Sequence, residues 1–300
     1  MDNNTLLNKL DSYSKQFINE KRSLNCSINT INTYLYILDN FYEYITSIDN
    51  LYALEDIDKD TILMFLNSNP NHSTNTKILN LRVLKSFFIF LDEKEKHEGL
   101  FELRFKKLNI KQEQKEVEAL LPNEVQRLLE LFTKRTHSFN KNRDALLIKL
   151  ILFTGIRATE TLNLQLSAFE PIEVDNNKMY KIKISGKGNK ERFVYILQNK
   201  IQKELDFLVN NGYIQNNIAI TNRGKLMTRT GLYNIISNKM KKANINKKGI
   251  HILRHTFARD LVRKNINLQT ISELLGHANI MLTAKVYAKS DEGSKARAVL

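Results

Sequence analysis

A mainly α-helical protein of two domains, with a small β-hairpin or sheet confined to the second, is the fold class that the sequence predicts. Three observations carry it. Ten glycines and three prolines among 300 residues leave few turn-formers, so long helices are expected to dominate. Apolar residues recur at three- and four-residue steps over most of the chain, the period of one helix face. Two-residue alternation, the mark of a half-buried strand, is found in one region alone.

The elements follow in order. Over 27–46, Ile28, Ile31, Tyr34, Leu35, Leu38, Phe41, Tyr42 and Ile45 line one face, with Ser27 placed to cap the start. Segments 5–20, 58–67 and 74–91 repeat the pattern, opening at Asp58 for the third and after Pro70 and Ser73 for the last. These predict a four-helix domain. Residues 92–119 lose periodicity and fill with charge, as a solvated linker does. Three hundred residues, at roughly 150 per domain, suit two domains, which are expected at 1–110 and 111–300.

The second half opens with a helix after Leu121-Pro122-Asn123, then a helix from about Arg143 to Phe153 that Gly155 interrupts. Met179 to Ile184 alternates, Gly186-Lys187-Gly188-Asn189 supplies turn residues, and Arg192 to Ile196 resumes the extended pattern. This predicts a hairpin with Lys187 at its tip. Helices follow at 199–210, 230–242, 251–264 and 268–275.

Lys and Arg total 46 against 32 Asp and Glu, a net charge of +14. A polyanion such as nucleic acid is the partner that this charge favours. No run of about 18 apolar residues is present to span a bilayer, and the first residues are polar where a signal peptide is apolar. No membrane association is expected, and a cytoplasmic, nucleoid-associated location is. The single cysteine, Cys26, excludes an internal disulfide and a multi-cysteine zinc site.

Six residues could carry chemistry. His251 and Arg254 lie three apart in a predicted helix and share a face, which suits an anion. His255 is read as pointing roughly 100° away around that helix. Arg157 follows an apolar helix that should be buried, so its permanent charge needs an acceptor; Glu160, three residues on, could supply one as a purely structural ion pair. Lys187 sits between two glycines at the hairpin tip, either an ordinary turn lysine or a mobile ammonium presented to a phosphate. His277 follows Leu274-Leu275-Gly276 at a helix end, where it could simply cap. Tyr287 would need activation to act as a nucleophile, because a phenol of pKa near 10 is protonated at neutral pH. Taken together, two arginines, a lysine, two histidines and a late tyrosine suit phosphoryl transfer without a metal. Fixed cations then meet the charge that builds on the non-bridging oxygens, and Tyr287 and Lys187 can serve as nucleophile and proton donor.

In TGIRATETLNL (154–164), SGKGNKERFVYI (185–196), HILRHTFARDLV (251–262) and LLGHANIMLTAKVY (274–287), in this order, the chain resembles the tyrosine recombinases of the phage-integrase type, and among them the Xer proteins. The resemblance implies a helical SAM-like core-binding domain and an α+β catalytic domain that clamp DNA between them. It implies that Arg157 and Arg254 hold the scissile phosphate, that Lys187 protonates the leaving 5′ oxygen, and that His251 assists proton transfer at the nucleophile. His277 would donate to a phosphate oxygen, Tyr287 would become linked to the 3′ phosphate, and Glu160 would stand behind the first arginine. No cofactor or metal is needed. Four protomers, of one recombinase or of two, would assemble on two specific double-stranded DNA sites, and a division protein could activate them, as in Xer-type resolution of chromosome dimers. One departure is the spacing: Tyr287 is ten residues after His277 where the family has nine, and the ninth, Val286, cannot attack.

The alternatives differ in class. A mobile-element integrase would share the chemistry, and the 300-residue length without an arm-binding domain favours the Xer reading over it. A type IB topoisomerase would relax DNA without site preference. A non-enzymatic helix-turn-helix regulator would use 268–284 as its DNA-reading motif and would give Lys187 and Tyr287 no task.

Overall fold

The computed structural model describes residues 3–49, 51–111, 117–186, 191–277 and 280–287, with the backbone alone at 3, 4, 282 and 285–287. Two compact units divide the chain, Met1–Lys115 and Glu116–Leu300. The architecture is mainly helical with one three-stranded sheet, as the sequence predicts.

The first unit contains α1 (Asn3–Ser23), α2 (Ile28–Thr46), α3 (Lys59–Ser68), α4 (Thr74–Lys94) and α5 (Leu100–Phe105). Side chains of Ser27, Asp58 and Ser73 cap α2, α3 and α4 by accepting from the amides of Thr30, Thr61 and Thr76. Each satisfies a donor that the first helical turn leaves without a partner. Apolar faces meet in a core whose aromatic centre includes Phe17, Phe41, Phe87, Phe88 and Phe101, all fully buried.

The expectation of a solvated linker over 92–119 is corrected by this unit. Its first part belongs to the fold up to Ile110. Asp92 is buried, and its carboxylate accepts from the amides of Phe101 (3.0 Å to each oxygen) and Glu102 (2.9 Å) at the start of α5. That cap starts a helix long enough to place Phe101 and Phe105 against Phe88, each with ring centroids 4.9 Å from it. Two large side chains in a charged stretch are too few to show a period, yet both are buried in the core, Phe101 at 0% and Phe105 at 2% exposure.

The second unit runs α6 (Pro122–Glu130), α7 (Phe139–Thr154), α8 (Ala158–Asn163), β1 (Phe169–Val174), β2 (Asn177–Ser185), β3 (Glu191–Leu197), α9 (Gln198–Asn210), α10 (Arg229–Lys242), α11 (Ile250–Arg263), α12 (Leu268–Leu275) and α13 (Ile280–Tyr287). Helix α7 starts four residues before the expected Arg143, at a Ser138 cap. Leu146, Leu147, Ile148, Leu150 and Ile151 are all fully buried, so α7 is covered on every side, by α9 and α11 among others. It is the axis of this unit.

The sheet is antiparallel in the order β1-β2-β3. Strand β1 is an addition to the predicted hairpin: Pro171 can sit in it because β1 is an edge strand. Asp175 and Asn176, at φ 50° and 59°, make the two-residue turn to β2. Strands β2 and β3 pair from Met179↔Leu197 to Ser185↔Glu191, with Ile184 opposite Arg192. Lys187, expected from the sequence at the tip of that hairpin, lies outside the described residues. Among the described residues, no helix is long and apolar enough to cross a membrane.

Candidate active site

The site is built around two helix ends. Helix α7 stops at Gly155, which has φ 65° and donates its amide to Ile151 O at 2.9 Å. A Cβ there would lie 2.4 Å from Phe257 Cδ1 of α11, so glycine is required both by conformation and by space. Ile156 is then fully buried, and Arg157 emerges as the residue preceding α8. Helix α12 stops at Gly276, φ 63°, with Gly276 N bonding Glu273 O and His277 N bonding Ser272 O. This turn carries His277 out of the helix.

Three arginines from three different elements converge on the end of α12. Arg192 Nε of β3 donates to Leu274 O (2.9 Å), Arg254 Nη2 of α11 to Leu275 O (2.7 Å), and Arg157 Nη2 to Gly276 O (2.6 Å). These consecutive carbonyls are among those a helix C-terminus leaves unpaired, and they carry its partial negative charge, so guanidinium groups are their natural partners. Arg254 also donates from Nη1 to Gly155 O at 2.5 Å, tying the end of α7 to the end of α12. Its side chain is buried, whereas that of Arg157 is 36% exposed. Five N–H donors on a guanidinium make anchoring at two carbonyls compatible with further donation to an anion.

Glu160 is the counter-charge. It is buried, and its two oxygens accept four hydrogen bonds: Arg157 N (2.7 Å), Arg157 Nη1 (2.9 Å), and Nη1 and Nη2 of Arg192 (2.8 Å each). Burial alone would raise the carboxyl, but the Arg192 and Arg157 hydrogen bonds outweigh it and hold the pKa at about 2. With about four lone-pair sites filled, Glu160 has no capacity left to accept a proton from a substrate. The structural ion pair considered for Arg157 thus exists, and it fixes a guanidinium that is still partly open to solvent.

The histidines lie within this positive field. His277 is half-buried with Nδ1 2.8 Å from the buried Thr283 hydroxyl of α13. Burial first, then Arg254, Arg157 and Arg192, depress its pKa to about 4. His251, in the first turn of α11 with its outer surface exposed, is also lowered, by burial and then by Arg229, Arg254 and Arg157. Both are neutral at neutral pH, able to donate from one ring nitrogen and accept at the other.

His255 requires a correction. Four helical residues turn the direction by about 400°, a net of roughly 40°, not 100°. Its ring centroid lies 6.3 Å from that of His251, and burial followed by the charges of His251 and Arg254 lowers it to about 4.

Of the six candidates, the structure brings Arg157, Arg254 and His277 together at the α12 turn and sets His251 one turn before Arg254. Tyr287 is the last residue of α13, its side chain outside the described residues, as is all of Lys187. Arg192 was missed. Its signal was present: Arg192 shares the inward phase of β3 with the buried Val194 and Ile196, a place where a charge requires a partner. Among the described residues, no group of three or more His, Cys, Asp or Glu is arranged to hold a metal ion.

Residues 118–293 match the family described as Phage integrase family. Tyrosine recombinase XerH of Campylobacter jejuni is 30% identical over 282 residues, covering 90% of this chain and 78% of that protein. Tyrosine recombinase XerC of Leptospira interrogans is 28% identical over 295 residues, 95% of this chain and 91% of its own. Among solved structures, the XerH site-specific recombinase bound to a palindromic difH substrate in a post-cleavage complex superposes with a TM-score of 0.78 at 26% identity, covering 93% of this chain and 82% of that one.

Proposed function

This chain belongs to the phage integrase family and is a tyrosine site-specific recombinase, and from that premise we propose how its residues cut and rejoin DNA. The observation that carries the reading is the convergence of Arg157 and Arg254 on the turn leading into His277. A scissile phosphate placed there receives donors from both guanidiniums, whose forks match two non-bridging oxygens. Preorganised donors of this kind stabilise the charge of the transition state without reorganising during the reaction.

Tyr287 Oη attacks the phosphorus and the bond to the 5′ oxygen breaks. The phenolic proton passes to His251, which is neutral at neutral pH and can accept it. Lys187 gives a proton to the departing 5′ oxygen. His277 donates to a phosphate oxygen from Nε2, the tautomer selected when the Thr283 hydroxyl donates to Nδ1. The product is a 3′-phosphotyrosine ester and a free 5′-hydroxyl. One phosphodiester is exchanged for another, so rejoining by a 5′-hydroxyl from a second duplex needs neither ATP nor a metal.

The cellular role we assign is of the Xer type, resolution of chromosome dimers at a specific duplex site. Identities of 30% and 28% to XerH and XerC, over nine-tenths or more of this chain, support it. In this reading four protomers, alone or with a second recombinase, act on two sites, and a division protein can activate them. A helix-turn-helix regulator is disfavoured by the α12 turn, whose last carbonyls are occupied by arginines from three other elements.

The test is capture of the natural site. The full chain is incubated with fragmented genomic DNA in excess EDTA, the mixture is denatured, and covalently held DNA is sequenced. One site in the chromosome, which resolves a plasmid carrying two direct copies of it, is the expected result. Recovery at the ends of a mobile element would instead indicate an integrase, and recovery everywhere a topoisomerase. Sequence-specific binding without any covalent product would indicate a regulator.

A further inference from the structure

The roles above use Arg157 and Arg254 but leave Arg192, the third arginine on the α12 end, without a task. Its side chain is only 13% exposed and its fork is committed to Glu160, so it is not a phosphate contact. We propose that Arg192 is the positioning residue of this active site, joining β3 to Glu160 and to the Leu274–His277 turn. The proposal rests on the recombinase reading of the site.

The geometry is that of a three-way joint. Arg192 is the second residue of β3, five after Lys187 in sequence, and its pairing opposite Ile184 fixes where it leaves the sheet. Nη1 and Nη2 grip both oxygens of Glu160 at 2.8 Å, while Nε on the same planar group reaches Leu274 O at 2.9 Å. Three donors in one plane, aimed at two partners, are available to arginine and not to lysine. A Cβ on Gly276 would lie 2.9–3.0 Å from Arg192 Nη1, Cδ and Cζ, so the guanidinium also packs against the backbone whose carbonyl receives Arg157.

The consequence is that Arg157 depends on Arg192 twice. Glu160 holds Arg157 Nη1 in one orientation because Arg192 occupies its remaining acceptor sites, and Gly276 O meets Arg157 Nη2 because Arg192 holds the residue two before it. The same turn delivers Leu275 O to Arg254 and leads into His277. Loosening Arg192 therefore disturbs both clamp arginines and His277 without removing any group that touches DNA.

The test compares Arg192→Lys and Arg192→Gln with the wild type as full chains, using a nicked duplex that carries the captured site. Single-turnover cleavage at saturating DNA is expected to fall by about a hundredfold in Arg192→Lys, the scale of a misplacement near 1 Å, and further in Arg192→Gln. Affinity for DNA should stay within about twofold of the wild type. A second readout needs no DNA: the imidazole of His277, followed by NMR in labelled protein. Among the described residues, His277 faces Arg254 and His255 of α11, Arg157, Arg192 of β3 and the Thr283 hydroxyl of α13. Removing one of its three cations in Arg192→Gln should let it titrate at a higher pH, with Arg192→Lys closer to the wild type.

Cleavage by Arg192→Lys at the wild-type rate would overturn the proposal, as would a loss confined to affinity. If Arg192→Gln does not fold, Arg192→Lys decides alone, because it keeps the charge and loses only the fork. Absence of cleavage by the wild type itself would refute the recombinase reading, and the His277 titration would still decide the placement of Arg192. Identical titration in wild type and Arg192→Gln would overturn that placement.

Discussion

Glu160→Gln is the perturbation whose cost can be worked most directly from the structure. The carboxyl is held at about 2 against an ordinary 4.5. At about 1.4 kcal/mol per pKa unit this difference corresponds to about 3 kcal/mol of stability at neutral pH. The figure agrees with the roughly 3–5 kcal/mol expected when one partner of a buried ionic cluster is removed. Glutamine has nearly the same shape but places an NH2 donor against guanidinium donors, so half of the four hydrogen bonds become repulsive. The sign in pH follows from a depressed acid: the contribution is complete above about pH 4.5 and is lost as the pH falls toward 2. Urea unfolding of the full chain, read by hydrogen-exchange mass spectrometry on peptides of α7 and β3, isolates the second unit. The wild type should exceed Glu160→Gln by about 3 kcal/mol at pH 7, with the gap narrowing below pH 4.5. A gap under about 1 kcal/mol at pH 7, or one that does not change with pH, would refute the reasoning.

Gly155→Ala forces a Cβ into Phe257 at a backbone φ of 65° and should cost the second unit at least ~2 kcal/mol in the same exchange experiment, while displacing the carbonyl that anchors Arg254. His255 and His277 sit at about 4 in the folded chain against 6.5 when free, so the unfolded chain binds more protons between those values. Stability should therefore fall as pH is lowered from 6.5 toward 4, and His255→Gln should make thermal unfolding measurably less steep in pH over that window. Lys187→Ala should slow cleavage of an ordinary phosphodiester by roughly 10²–10⁴, the scale of a lost general acid. It should barely affect a substrate whose bridging 5′ oxygen is sulfur, and equal loss on both would withdraw the assignment as proton donor.

What the sequence discloses depends on whether a residue's reason for being there is local. Ser27, Asp58 and Ser73 are legible as caps because their partners are three residues away. Gly155 and Gly276 are legible as helix ends because φ near 65° is a property of the residue itself. Asp92 caps a helix nine residues downstream, and its charge made the segment read as solvated. Strand β1 was hidden by Pro171, which counts against a strand until the edge position is known. The same division runs through the site. Arg157 and Glu160 are three apart and could be paired by inspection, whereas Arg192 meets Glu160 across 32 residues and Leu274 across 82. No spacing rule spans such distances. The inward phase of a charged residue in a strand was the one clue, and it becomes decisive only when the sheet's buried face is known.

The most direct measurement of the central claim is the identity of the residue that becomes attached to DNA. A nicked duplex carrying the captured site traps the cut strand, and proteolysis followed by mass spectrometry locates the nucleotide on a peptide. The modification should map to Tyr287, through the 3′ phosphate, in excess EDTA, and Tyr287→Phe should bind the same DNA with unchanged affinity while forming no adduct. An adduct on any other residue, or one that persists in Tyr287→Phe, would contradict the chemistry assigned to this site.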